Sequence, residues 1–247
     1  MNKKLLGAIL IVTIWGTNSL AIDFMGPPTA GLKEGQWKLG YTHHQSKSDI
    51  EVENIRVSGI DYENINIEDI ETTRNYFTFN YGTATDRMEI YGFLGAADTE
   101  SDSYDFGSES IQFSGNSDFA FGIGTKVTTN IYNESDWGIL FQVSWLKSDD
   151  TLDNVKVEID AYELQVALGP TVKMTKDWKI YGGPFIYKLG GDIDTTNPKG
   201  HGDLKEDSAI GGYIGTQIDF FGNAAIAAEY ASTGDSSGFG VNVSWKF

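Results

Sequence analysis

The chain ends in a strict alternation: Phe239, Val241, Val243, Trp245 and Phe247 fall on one face, and Gly240, Asn242, Ser244 and Lys246 on the other. A period of two is that of a β-strand, whose successive side chains point to opposite sides. It recurs upstream. Trp137, Ile139, Phe141, Val143 and Trp145 alternate with Gly138, Leu140, Gln142 and Ser144; Phe119, Phe121, Ile123, Thr125 and Val127 alternate with Ala120, Gly122, Gly124 and Lys126. Similar segments start near Gly35, Thr73, Met88, Asp160, Trp178, Ser208 and Ala224, which predicts an all-β chain of about ten strands, within a range of about eight to twelve. The alternation is interrupted at Met88–Ala97 and at Trp178–Lys188, where Pro184 and paired glycines sit.

Short connections at Thr83–Arg87, Tyr132–Asp136, Met174–Asp177 and Phe221–Asn223 alternate with long ones at Ser48–Thr72, Asp98–Ser117, Ser148–Val157 and Leu189–Asp207, with Thr233–Ser237 less long. Short turns at one end and long loops at the other are the connectivity of an antiparallel up-and-down barrel that crosses a membrane. Ile50, Val52, Ile65 and Ile67 still alternate within the longest connection, so the first hairpin is expected to extend beyond the membrane.

Residues 1–21 read as a secretory signal: Lys3 and Lys4, an uncharged run from Leu5 to Trp15, then Ser19-Leu20-Ala21 as a small-x-small cleavage site. That run gives about 17 Å of helix, too short for a bilayer core of about 30 Å. Residues 22–34, with Pro27-Pro28, read as a periplasmic tether, and 35–247 as the barrel.

Alternation does not say which face points inward. A soluble barrel binding an apolar ligand would turn the apolar face in; a membrane barrel turns it out. Three observations favour lipid outside. The polar face is rich in Gly and Ala, poor strand formers that suit a narrow lumen. Aromatics gather at strand ends, as interfacial girdles require. Most of the 35 acidic residues fall in the five long connections, leaving the strands almost without net charge in a chain of net charge −17. The acidic excess also argues against nucleic acid as a partner. The absence of cysteine excludes disulfides and thiol chemistry, and no cofactor motif appears.

With a signal, ten amphipathic strands and the terminal Phe239-x-Val241-x-Val243-x-Trp245-x-Phe247, the chain resembles the small bacterial outer-membrane β-barrel superfamily, in particular its OmpA/OmpX-like and opacity-type members. The resemblance implies the cell outer membrane as location, outer-membrane lipid and lipopolysaccharide as surroundings, and recognition of Phe239, Val241, Val243, Trp245 and Phe247 by the barrel-assembly machinery.

Small barrels have interiors that side chains fill, and open channels appear at about 16 strands. The phase directs Lys38, Glu89, Lys126, Asp219 and Lys246 to the periplasmic half of the lumen. It directs Arg74, Glu163 and Glu229 to the outer half, and Gln142, Gln165, Tyr213 and Asn242 between, with Gln217 on the same face. As a plug of satisfied polar groups, these residues imply a structural or surface-interaction role; as a path, a narrow cation-preferring channel. Asp98, Glu100, Asp102, Asp105, Asp192 and Asp194 offer oxygen ligands to divalent cations, without EF-hand spacing. Enzyme readings rest on His44-x-Ser46, similar to the His-x-Ser of lipid A deacylases, and on Asp149, Asp150, His201 and Asp203, similar to the mouth of omptin-type proteases. Neither matches its family's order or strand placement, and the expectation is a non-enzyme.

Overall fold

The structure, a computed structural model, describes residues 22–57, 60–61, 65–83, 86–101, 104–106, 109–111, 117–132, 135–152, 155–196 and 199–247. The proposed signal at 1–21 lies outside the described residues. Ten long strands form the wall: β1 (Trp37–Val57), β2 (Ile65–Gly82), β3 (Met88–Ser101), β4 (Asp118–Tyr132), β5 (Ser135–Leu152), β6 (Val155–Lys173), β7 (Trp178–Thr196), β8 (Lys199–Phe220), β9 (Ala224–Ser232) and β10 (Ser236–Lys246). Each pairs antiparallel with its sequence neighbours, and β10 closes on β1 from Lys38↔Lys246 to Ser48↔Ser236. Closure leaves no edge in the membrane, so the backbone groups there are satisfied within the wall.

The outer face is apolar. Leu39, Phe77, Leu94, Ile123, Ile139, Phe141, Leu168 and Ile214 project from it, all more than one-third exposed. Trp37 packs on Tyr81 at the periplasmic end, where Trp178, Trp245 and Phe247 also project outward from their own strands; Phe119, Phe121 and Trp145 stack at the other. Trp137 and Trp145, eight residues apart on β5, mark a band of about 27 Å along the strand, or about 20 Å along the membrane normal at a tilt of about 40°, so the two rings stand near the borders of the ~25 Å apolar belt of a membrane barrel. This outward face overturns the soluble-barrel alternative.

The expected long loops at Ser148–Val157 and Leu189–Asp207 are largely strand: β5–β6 and β7–β8 continue as hairpins past the membrane. The first hairpin does the same, with Ile50↔Ile67 and Val52↔Ile65 in register. Because β9 and β10 stop early, the outer end of β8 skips them and pairs with β1 at Glu51↔Lys205, Val52↔Leu204 and Arg56↔His201. The outer wall is thereby closed on that side by β8 and β1 alone.

Candidate functional site

Lumen-facing positions are even-numbered on β1, β2, β4 and β5 and odd-numbered on β3 and β6. The segment expected to hang in the periplasm is instead inside the barrel. Ile22, Asp23 and Met25 are buried, and the chain runs from there to the periplasmic rim, where Gly35 N–H donates to Gly82 O at 3.0 Å. This correction has a clear physical cause: the segment has no ladder of its own, and the wall supplies its partners. Both Glu229 oxygens accept backbone N–H groups, from Met25 and Gly26, each at 2.9 Å. Glu89 Oε2 accepts from Gly31 N–H at 2.9 Å, and Lys126 Nζ donates to Met25 O at 3.0 Å. Gln165 Nε2 donates to Asp23 O at 3.2 Å, and Thr128 Oγ1 accepts from Ala30 N–H at 2.8 Å. Pro27 and Pro28 carry no N–H and need no partner. Gly138 lets the segment pass: a Cβ there would lie 2.4 Å from Pro28 O.

Asp23 also enters the ion cluster that spans the lumen. Arg74 Nη1 on β2 is 2.7 Å from Asp23 Oδ1, its Nη2 bonds Glu163 on β6, and Ser144 Oγ donates to Asp23 Oδ2 at 2.6 Å. Arg74, Asp23 and Glu163 are each 1% exposed. One guanidinium therefore holds two carboxylates, joining the segment to opposite sides of the wall.

The other polar residues on the lumen face form smaller groups. Lys38 Nζ (3.1 Å) and Asn80 Nδ2 (2.6 Å) donate to Glu89 Oε1. Tyr91 O–H donates to Gln142 Oε1 at 2.8 Å, and Gln142 Nε2 to Gln165 Oε1 at 2.9 Å. Near the periplasmic mouth Lys179 Nζ and Gln217 Nε2 donate to Asp219, at 2.7 and 2.6 Å, and Asn242 Nδ2 donates to Thr42 Oγ1 at 2.8 Å. Lys246 lies beside Lys38 in register and lines, with Lys38, Lys179, Gln217, Asp219 and Asn242, a cavity of about 280 Å³ around the segment.

Two lumen features were not read from the sequence. Tyr76, Tyr91, Phe93, Tyr181, Phe185 and Tyr187 point inward and are buried, and Tyr213 packs on Tyr181 and Phe185. Their rings lie over cross-strand glycines: Phe93 faces Gly122, Tyr91 faces Gly124, Phe185 faces Gly211 and Tyr181 faces Gly215. The interrupted segments on β3 and β7 hid this phase, although Tyr91-x-Phe93 and Phe185-x-Tyr187 opposite Gly-rich strands were the available signal. Above the ion cluster, a cross-strand row of Leu146, Ala161, Gly191, Leu204 and Val52 runs from β5 to β1 on the inward face. Its four side-chain-bearing members are buried, forming an apolar layer toward the outer end.

Outside the membrane the outward face is charged. Lys147, Asp160, Asp192, Asp203 and Glu53 are consecutive cross-strand neighbours from β5 to β1; Asp149, Glu158, Asp194, His201 and Arg56 form the next row. His201 Nδ1 is 3.0 Å from Asp194 Oδ1 and its Nε2 is 3.3 Å from Asp203 Oδ1. The hydrogen bond to Asp194, then the surrounding carboxylates, hold its pKa above the usual imidazole value.

The enzyme constellations do not assemble. His44 and Ser46 face the lumen and are buried. Asp149 and Asp150 on β5 stand three strand spacings from His201 and Asp203 on β8, about 14 Å. Of the expected cation ligands, Asp98 and Glu100 lie on β3, Asp192 and Asp194 on β7, Asp102 lies outside the described residues, and the side chain of Asp105 is likewise not described. At the C-terminus Val243, Trp245 and Phe247 project to lipid, and Phe247 N–H donates to Trp37 O at 2.8 Å.

No protein-family model matches the chain, and no curated protein matches it. Solved structures do. The translocator domain of the autotransporter NalP from Neisseria meningitidis is similar with a TM-score of 0.50 and 10% identity, over 88% of this chain and 90% of that one. The outer membrane protease OmpT from Escherichia coli gives 0.48 and 8%, over 92% and 99%. Ail, the attachment invasion locus protein of Yersinia pestis, gives 0.35 and 13%, over 87% and 99%. At such identities the likeness is one of fold. With its closed wall and lipid-facing belt, the chain has the fold of a ten-stranded transmembrane β-barrel.

Proposed function

We propose that this protein is a closed-lumen barrel of the bacterial outer membrane whose working surface is its set of acidic extracellular hairpins, with a structural or cell-surface interaction role. The observation that carries this is the seating of residues 22–34 in the lumen, bonded to Glu229, Glu89, Lys126 and the Arg74 cluster. Lipid and lipopolysaccharide surround the belt, and the assembly machinery reads Phe239, Val241, Val243, Trp245 and Phe247.

Conductance in a planar bilayer tests this. The complete mature protein is expected to insert without passing current, whereas a chain in which the signal joins Gly35 directly, lacking residues 22–34, opens narrow cation-preferring steps. Steady cation-selective steps from the complete protein, altered by Glu229→Gln, would overturn the closed-lumen reading in favour of a narrow channel.

A further inference from the structure

We propose that Asp192, His201 and Asp203, on the β7–β8 hairpin outside the membrane, form a site for a divalent transition-metal ion of borderline softness, with Zn²⁺ the reference case. The pleat puts Asp192-x-Asp194 and His201-x-Asp203 on the outward face, and the hairpin register sets Asp192 opposite Asp203 and Asp194 opposite His201. One ligand atom from each of Asp192, His201 and Asp203 lies within 4.8 Å of the other two. The separation of 3.3 Å between His201 Nε2 and Asp203 Oδ1 is that of two ligands each about 2.1 Å from one ion in near-tetrahedral geometry. His201 Nδ1 is engaged by Asp194, the carboxylate–imidazole arrangement that orients a ligating histidine and leaves Nε2 for the metal.

The surrounding charge gives an independent reason. Asp160, Asp192, Asp203 and Glu53 are direct cross-strand neighbours, an arrangement of like charges that destabilises a sheet. Lys147 pairs with Asp160 at one end of the row and Lys205 with Glu53 at the other. Among the described residues no lysine or arginine reaches Asp192 or Asp203 in the middle, where His201 supplies the one titratable cation and the neutral Asn54 Nδ2 donates to Asp203 Oδ2 at 2.6 Å, leaving Oδ1 beside His201. An imidazole nitrogen with two carboxylates suits Zn²⁺ over Mg²⁺ or Ca²⁺, which take all-oxygen sets. Water completes the coordination at this open position.

The experiment is a calorimetric titration of Zn²⁺ into the untagged, detergent-folded full chain, with heat-shifted gel mobility as the folding control. One equivalent is expected to bind, with affinity falling at least tenfold in His201→Gln and in Asp192→Asn, and about 10–100-fold in Asp194→Asn, which touches only the orienting bond. His44 is buried and His43 lies on the outer face of β1, so neither completes this site. Unchanged Zn²⁺ binding in folded His201→Gln would overturn the proposal. So would displacement of Zn²⁺ by a tenfold excess of Mg²⁺, which would reveal only a diffuse acidic screen, or the absence of any one-equivalent binding.

Discussion

The Arg74 cluster makes an asymmetric prediction. Two carboxylates, Asp23 and Glu163, share one guanidinium, and all three are 1% exposed. Replacing Arg74 with Leu leaves both acids buried without a counter-charge, and breaking a buried pair from one side costs about 3–5 kcal/mol. Glu163→Gln acts differently. The amide still offers Arg74 an acceptor, while the cluster passes from an excess of one negative charge to balance. The loss of one charge-assisted bond is offset by relief of the Asp23–Glu163 repulsion, so the change should stay within about 1 kcal/mol. Because Arg74 and Glu163 sit on opposite parts of the wall, β2 and β6, the difference is read in the whole barrel. Urea unfolding of the lipid-inserted protein, followed by tryptophan fluorescence, measures it: Arg74→Leu should lower the midpoint strongly at unchanged slope, and Glu163→Gln should hardly move it. If Glu163→Gln loses as much as Arg74→Leu, bond geometry and not charge balance governs the cluster. If Arg74→Leu is neutral, the cluster contributes nothing to stability.

Two further outcomes follow from the packing and the terminus. A Cβ at Gly124 would lie 2.3 Å from the Tyr91 ring and 2.7 Å from Phe141 O, so Gly124→Val should destabilise by about 1–3 kcal/mol; Tyr91→Ala in the same chain should recover the part of that loss owed to the ring, a coupling that a double-mutant cycle in urea would detect and simple additivity would disprove. Phe247→Ala keeps the backbone bonds to Trp37 and removes a ring that projects to lipid, so the refolded barrel should lose at most about 1.5–3 kcal/mol of transfer energy, while the fraction assembled in cells falls further than in an Ile139→Ala variant of similar stability; equal assembly of the two variants would remove the terminal residue from the assembly role.

What the sequence made legible is what short-range sterics decide. The alternation on β5 and β10 fixes which residues meet lipid, because a one-residue slip would turn Ile139 and Phe141 inward and Gln142 outward. The first hairpin was legible for the same reason: Ile50, Val52, Ile65 and Ile67 keep phase beyond the membrane. The interior was harder to read, because its contacts join residues far apart in the chain. Nothing local to Asp23 points to Arg74, and nothing local to Met25 points to Glu229, 204 residues away. The segment from Ile22 to Glu34 has no period, two prolines and three charged residues, a composition as suited to a tether as to a plug. What decides between them is the burial of Glu89 and Glu229 on the inner face, since buried carboxylate oxygens need hydrogen-bond donors and the segment's backbone N–H groups supply them. Glu89 and Glu229 each take backbone N–H groups from the segment, and Asp23 brings a second acid to Arg74. The glycines and alanines read as space for a lumen thus have two occupants: the aromatic rings of neighbouring strands, and the chain's own N-terminal segment. The same residues that suggested room for a pore are the ones that allow it to be filled.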